Sequence, residues 1–167
     1  MAVPLMICQL SVADFQSIHT VINDAAVAYK SKIPLDCYNE PYMSQNKLRN
    51  EIFLGIQFYG IIQDGLLLAV MGIQPIDDVT LIRHAYTLTC YQRQGLGGQL
   101  LNYLIGLVKT KRVLVGTWET ATWAIRFYQK HAFELLTREE TNKLLKKYWN
   151  ITREQFENSV VLEQWRR

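Results

Sequence analysis

A chain of 167 residues is long enough for one compact domain with a core of its own and too short for two full ones, so residues 1–167 are expected to form a single domain. Apolar residues make up 49% and charged residues 20%, an ordinary balance that excludes disordered, collagen-like and coiled-coil designs. The 18 Lys and Arg and 15 Asp and Glu leave a formal charge of +3; the basic residues are scattered, with short spots at Lys109, Lys111, Arg112 and at Lys143, Lys146, Lys147, so nucleic acid is not an expected partner.

The first ten residues hold an apolar patch without a basic lead or a small-residue cleavage site, so no signal peptide is expected. A strand is predicted over 5–10, followed by a helix capped by Ser11, with Asp14 in its first turn, that runs to about Tyr29. Residues 31–46 carry Pro34, Pro41, Asn39 and Asn46 and read as a loop around short helical turns. From 52 to 74 the pattern is a long hairpin, with Asp64-Gly65 as the turn between two apolar runs. A strand over 79–89 leads into Gln92-Arg93-Gln94-Gly95-Leu96-Gly97-Gly98.

Leu96, Leu100, Leu101, Leu104 and Leu107 recur at helical spacing, which predicts a helix starting near Gly95. A strand over 113–118, a helix ending near Lys130, a strand over 133–136, a polar helix over 138–148 and a last strand over 159–163 complete the reading. The fold class is mixed α/β: a mostly antiparallel sheet of about six to seven strands with one parallel β-α-β crossover, flanked by helices. The final strand is expected to expose an edge that a second copy could pair, giving a homodimer. Nowhere is there a run of about 18 apolar residues, so no membrane span is expected. Cys8, Cys37 and Cys90 are an odd set without metal-ligand spacing, which points to a reduced, cytoplasmic protein without structural zinc.

The segment from Gln92 to Gln99 carries the chemistry. Glycines between a strand and an amphipathic helix let the backbone turn tightly, and the first N–H groups of that helix offer an anion site suited to a pyrophosphate. A nucleoside triphosphate loop would need Gly-Lys-Ser/Thr, but Gly98 is followed by Gln99 and Leu100. A dinucleotide fingerprint would need a third glycine where Leu100 stands.

This segment resembles the Gln/Arg-x-x-Gly-x-Gly/Ala signature of the GCN5-related N-acetyltransferase (GNAT) superfamily. Residues 124–133, Ala-Ile-Arg-Phe-Tyr-Gln-Lys-His-Ala-Phe, are similar to that family's Ala-x-x-Phe-Tyr-x-Lys-x-Gly-Phe. The resemblance spans nearly the whole chain. It implies an acyltransferase that passes an acetyl group from acetyl-coenzyme A to a small amine by direct attack, without a metal. Backbone groups of Arg93, Gln94, Gly95, Leu96, Gly97 and Gly98 would hold the pyrophosphate, with Gln92 and Gln99 flanking them as further coenzyme-binding residues. Tyr86 and Thr87 would offer main-chain hydrogen bonds to the pantetheine arm, and Tyr128 would protonate the leaving thiolate.

Spacing alone allows Tyr128 to be a packed core aromatic. His84 is a candidate base, with a water chain as the alternative. Regular alternation puts His84 and Tyr86 on one face of their strand and Arg83 and Thr87 on the other, unless a bulge exchanges them. Leu81 stands where some family members carry a catalytic glutamate. Ala121 replaces a frequent asparagine, and Ala132 the usual glycine. Tyr29, Tyr38, Glu40 and Tyr42 are candidates for the acceptor wall. Cys90, Trp118 and Trp123 read as core. With no base identified, a non-catalytic acyl-coenzyme A binder stays open, as does a peptide or protein acceptor.

Overall fold

The computed structural model describes residues 3–167. Seven strands, β1 (Met6–Gln9), β2 (Gln57–Gln63), β3 (Leu66–Ile76), β4 (Val79–Thr87), β5 (Arg112–Trp118), β6 (Glu134–Leu135) and β7 (Ser159–Trp165), form one sheet in the order β1-β2-β3-β4-β5-β7-β6. The helices are α1 (Phe15–Ala26), α2 (Gln45–Phe53), α3 (Leu96–Leu107), α4 (Thr122–Lys130), α5 (Arg138–Tyr148) and α6 (Arg153–Glu157). β4 and β5 run parallel, Val79 facing Arg112 and Ile82 facing Val115. The connection between them carries α3, because parallel neighbours need a crossover of about a dozen residues. β1 with β2, β2 with β3, β5 with β7 and β6 with β7 are antiparallel. The β2–β3 turn has both Asp64 (φ +52°) and Gly65 (φ +76°) in the left-handed region, as an Asp-Gly hairpin turn requires.

The chain divides into two compact units. The first holds residues up to Ala28, Glu40–Gln74 and Arg83–Lys109. Its core joins Ile18, Val21 and Ile22 of α1 to Met43, Leu48, Ile56, Phe58, Leu67 and Val70. The 18, 21, 22, 25, 26 spacing of buried residues on α1 is one helical stripe. Asn23 fastens the segment before α2 to α1: its Oδ1 accepts from Met43 N at 2.8 Å, while its Nδ2 donates to Met43 O and His19 O, both at 2.9 Å.

The second unit holds Tyr29–Asn39, Pro75–Ile82 and Thr110–Arg167. Val79, Leu81, Leu114 and Val161 of the strands pack against Leu144, Leu145 and Tyr148 of α5. The Tyr148 hydroxyl donates to Asp78 Oδ1 at 2.6 Å. Thr137 and Glu140 form a capping box at the start of α5.

Three expectations are corrected. Ile52 and Phe53 belong to α2 and do not start the hairpin; α2 buries only Leu48, so no apolar stripe announces it, although Ser44 caps it by accepting from Lys47 N at 3.1 Å. The short α6, capped by a Thr152–Gln155 box, also escapes a periodicity reading. β7 is not an edge strand: Glu163 and Leu162 pair with Glu134 and Leu135 of β6 on the side away from β5. The edge argument for a homodimer therefore falls.

Candidate functional site

β4 ends at Thr87, whose carbonyl accepts from Gln92 Nε2 at 3.1 Å. A single 3-10 turn, Thr89–Tyr91, follows and is held by Thr89 N donating to Asp24 Oδ2 at 2.7 Å. Arg93 at φ +63° and Gly95 at φ +79° then swing the chain into α3. A Cβ on Gly95 would meet nothing within 4 Å, so glycine is used there for its left-handed backbone and not for close packing. No side chain caps α3, and its ladder begins with Gln99 N donating to Gly95 O at 3.1 Å.

The N–H groups of the first turn thus have no partner in the helix and stand at its positive end. Gln92, Arg93, Gln94, Gly95 and Gln99 are exposed, Gly97 and Gly98 half-buried. Leu96 is buried, so only its main chain is available to a ligand, while its side chain anchors the helix with Leu100, Leu101 and Leu104. This uncapped glycine elbow fits an anion of pyrophosphate kind. Tyr86 packs against the first unit's core, leaving its main chain for a ligand.

Three residues upstream of Thr87, β4 breaks its pleat. His84 has φ +52°, a conformation foreign to a strand. Consecutive strand residues normally point to opposite faces, yet Arg83 Nη2, donating at 3.0 Å, and His84 Nε2, within hydrogen-bond distance at 3.2 Å, both reach Glu51 Oε2 of α2. The bulge raised as an exception to regular alternation is therefore present. Gly72 of β3 makes room for it: a Cβ there would lie 3.0 Å from the Arg83 carbonyl oxygen and 2.6 Å from Ile56 Cγ2. Arg83 Nη1 also donates to Gln74 Oε1 at 2.9 Å, and Gln74 Nε2 to Leu54 O at 3.1 Å.

Burial works to raise the Glu51 carboxyl, but the His84 hydrogen bond and the charges of His84, Arg83 and Lys47 outweigh it and hold Glu51 below its ordinary value. Burial pushes His84 below its ordinary value, with Arg83 and Lys47 adding to the push and Glu51 opposing it. His84 is therefore neutral at pH 7. Glu51 is the residue that sequence reasoning missed. Its partner Arg83 lies 32 residues further along, and no local pattern links them.

In the second unit, Tyr128 of α4 is buried with its ring edge-on to Phe127 (5.0 Å between centroids) and Phe133 (5.5 Å). Burial, then the neighbouring Tyr29, push its phenol up, so it keeps its proton at neutral pH. α4 closes in a Schellman motif: Phe133 N donates to Tyr128 O at 3.1 Å and Ala132 N to Gln129 O at 3.2 Å. Ala132 occupies the left-handed position (φ +64°), which is the physical reason a glycine is favoured there.

Tyr29 lies 6.0 Å from the Trp123 ring, over which Lys32 Nζ sits at 4.7 Å. Trp123 is 40% exposed and Cys90 is exposed, correcting their reading as core; Trp118 is buried. Leu81 and Ala121 are fully buried, and neither offers a polar group. Tyr29 and Tyr38 fall in the second unit, Glu40 and Tyr42 in the first, where Lys47 Nζ lies 5.6 Å from the Tyr42 ring. Among the described residues no cluster of three or more His, Cys, Asp or Glu could hold a metal ion, and no helix is long and apolar enough to cross a membrane.

Residues 55–135 match the family described as "Acetyltransferase (GNAT) domain". No curated protein sequence matches the chain. Among solved structures, it is similar to the PaiA N-acetyltransferase from Thermoplasma acidophilum in complex with coenzyme A, with TM-score 0.73 and 18% identity over 98% of this chain and 99% of that one. It is also similar to the ribosomal-protein-S18-alanine N-acetyltransferase from Escherichia coli (TM-score 0.71, 18% identity, 97% and 94% covered). A GNAT family acetyltransferase from Elizabethkingia anophelis with acetyl-CoA bound gives TM-score 0.62 and 21% identity, with 97% and 98% covered. At such identities the structural likeness is one of fold.

Proposed function

We propose that this chain is a GNAT acetyltransferase that uses acetyl-coenzyme A as co-substrate and transfers the acetyl group to the primary amine of a small molecule by direct attack within a ternary complex. One observation carries the reading: the elbow at Arg93 and Gly95 that opens the uncapped N-terminus of α3. Its main-chain donors, from Arg93 through Gly98, suit the coenzyme's pyrophosphate. The main chain of Tyr86 and Thr87 would then meet the pantetheine arm. The Thr87 carbonyl that Gln92 engages has a second lone pair to offer.

Chemically, the amine must shed a proton, the tetrahedral carbon must lose sulfur, and the thiolate must be neutralised. Tyr128 supplies the last proton. A phenol whose pKa burial has raised is a reservoir that stays loaded at pH 7. His84, neutral at that pH, takes the amine proton. No covalent enzyme intermediate is needed, so most of the acceleration comes from holding the two reactants together. Tyr29, Tyr38, Glu40 and Tyr42 are proposed to shape the acceptor site, and the protein is proposed to work in the cytoplasm.

Acetyl-coenzyme A at millimolar concentration is expected to raise the melting temperature, because a ligand selective for the folded state stabilises it. Thiol release is expected with at least one member of a panel of polyamines, amino acids and aminoglycosides. Release with peptides alone would replace the small-molecule acceptor by a protein one. Binding with no release across the whole panel would leave an acyl-coenzyme A binder instead of an enzyme.

A further inference from the structure

We propose that Glu51 is a positioning residue for this transfer: it holds His84 in the tautomer with its proton on Nε2 and leaves Nδ1 as the atom that accepts the proton of the attacking amine. The inference rests on the acetyl-transfer reading above and adds to it a tautomer, an atom and a partner residue.

Hydrogen-bond chemistry decides the tautomer. Leu54 O can only accept, so the Gln74 amide must turn its Nε2 toward it and its Oε1 toward Arg83. Arg83 carries donors alone, and its other branch donates to Glu51 Oε2. Glu51, kept ionised by that company, has no proton to give. His84 Nε2, 3.2 Å from the same oxygen, must therefore be the donor. A neutral imidazole has one N–H, so Nδ1 carries the lone pair. The chain Leu54–Gln74–Arg83–Glu51–His84 has a fixed polarity from end to end.

Packing fixes the ring plane as well. Phe58 of β2 stacks on His84 with centroids 6.1 Å apart and planes 26° apart. The charged groups facing His84 are Glu51 and Lys47 from α2 and Arg83 from β4, while β2 contributes the uncharged Phe58. The two cations oppose a second proton, so the base starts empty, and Glu51 stabilises the imidazolium once it forms. His84 lies two residues before Tyr86, about 7 Å along a strand from the main chain assigned to the pantetheine arm. The bulge is what turns its side chain onto Glu51, away from the face that regular alternation would assign.

In the step itself the nitrogen–carbon bond forms and the carbon–sulfur bond breaks. The amine's proton passes to His84 Nδ1, and the thiolate takes a proton from Tyr128. Imidazolium and phenolate then re-equilibrate with water, leaving the protein unchanged.

The test starts on the unaltered protein bound to acetyl-coenzyme A. Long-range proton–nitrogen correlation of the imidazoles, with the His84 signal assigned by its loss in His84→Gln, is expected to show a protonated Nε2 and a bare Nδ1 at neutral pH. With the panel amine that gives thiol release, His84→Gln is expected to lower kcat by about 10²-fold or more and abolish the acid limb of the pH–rate profile. Glu51→Gln removes the charge that favours imidazolium, so the acid limb should move to lower pH by about one unit. Its kcat/KM should fall about 10-fold, with the acetyl-coenzyme A thermal shift retained. A protonated Nδ1 in the unaltered protein, or an acid limb unmoved in Glu51→Gln, overturns this inference while thiol release continues. Correct protonation without thiol release from any amine overturns the acetyl-transfer reading instead. Should Glu51→Gln not fold, the spectrum of the unaltered protein still decides.

Discussion

The elbow after β4 and the bulge within β4 are neighbours on one strand, yet they are built from opposite materials. The elbow is a main-chain site: its donors are amides, its shape comes from Arg93 and Gly95 at positive φ, and its side chains are mostly exposed. The bulge is a side-chain site: Arg83, His84, Glu51 and Gln74 converge from β4, α2 and β3, each orienting the next. A main-chain site is damaged by adding atoms, because it exists only where the backbone is bare. A side-chain site is damaged by deleting them, because every buried polar group depends on its partner.

Deletion should have the larger effects. Tyr128→Phe removes one oxygen from the second unit and, if the phenol is the acid, should lower kcat about 100-fold, equivalent to about 2.7 kcal/mol, with acetyl-coenzyme A affinity unchanged. Steady-state kinetics beside a binding isotherm would separate the two; an unaltered kcat removes Tyr128 from the chemistry. Glu51→Ala strands the Arg83 guanidinium. Complete burial would make that cost 3–5 kcal/mol by the usual order of magnitude; with the Arg83 and Glu51 side chains 20% and 14% exposed, about 2 kcal/mol is expected in urea unfolding.

Addition should cost less. Gly95→Val forces a β-branched residue to φ +79° and is expected to weaken acetyl-coenzyme A binding about 10-fold, read by calorimetry, with about 1–2 kcal/mol of stability lost. Equal binding by this variant would show that the elbow is only a turn.

Acid bears on the bulge through His84 and Glu51. His84 and Glu51 are both held below their ordinary values, so the unfolded chain binds more protons and stability rises with pH. Stability should be full above about pH 6.5, decline as pH falls through the His84 range, and decline again below about 4.3 as Glu51 is titrated. In Glu51→Gln the lower step should disappear from a pH series of melting curves. The smallest effect is expected at the end of α4. Ala132→Gly relieves a left-handed alanine but loosens the unfolded chain, for a net gain of about 0.5 kcal/mol in melting experiments.

The difference in material also explains what could be read in advance. Gly95, Gly97 and Gly98 between a strand and a leucine stripe are a local pattern, and the elbow they form lies where that pattern places it. The Asp64-Gly65 turn was legible for the same reason: backbone geometry is imposed within a few residues. α2 was not, because a helix burying Leu48 alone has no stripe to show. The homodimer edge failed because the place of β7 in the sheet depends on β6, two residues long and far weaker as a signal than its consequence.

Sequence by itself determined the class of fold, the glycine elbow and the ladder of elements around it, since each rests on short-range periodicity and on residues that permit one backbone conformation. Tertiary structure alone decided that Arg83 and His84 share one carboxylate, that this carboxylate comes from α2, and that Trp123 faces solvent. The reason is physical: a positive φ at His84 reverses which face a side chain occupies, and a charge finds its partner through space, at whatever sequence distance the packing of the core happens to set.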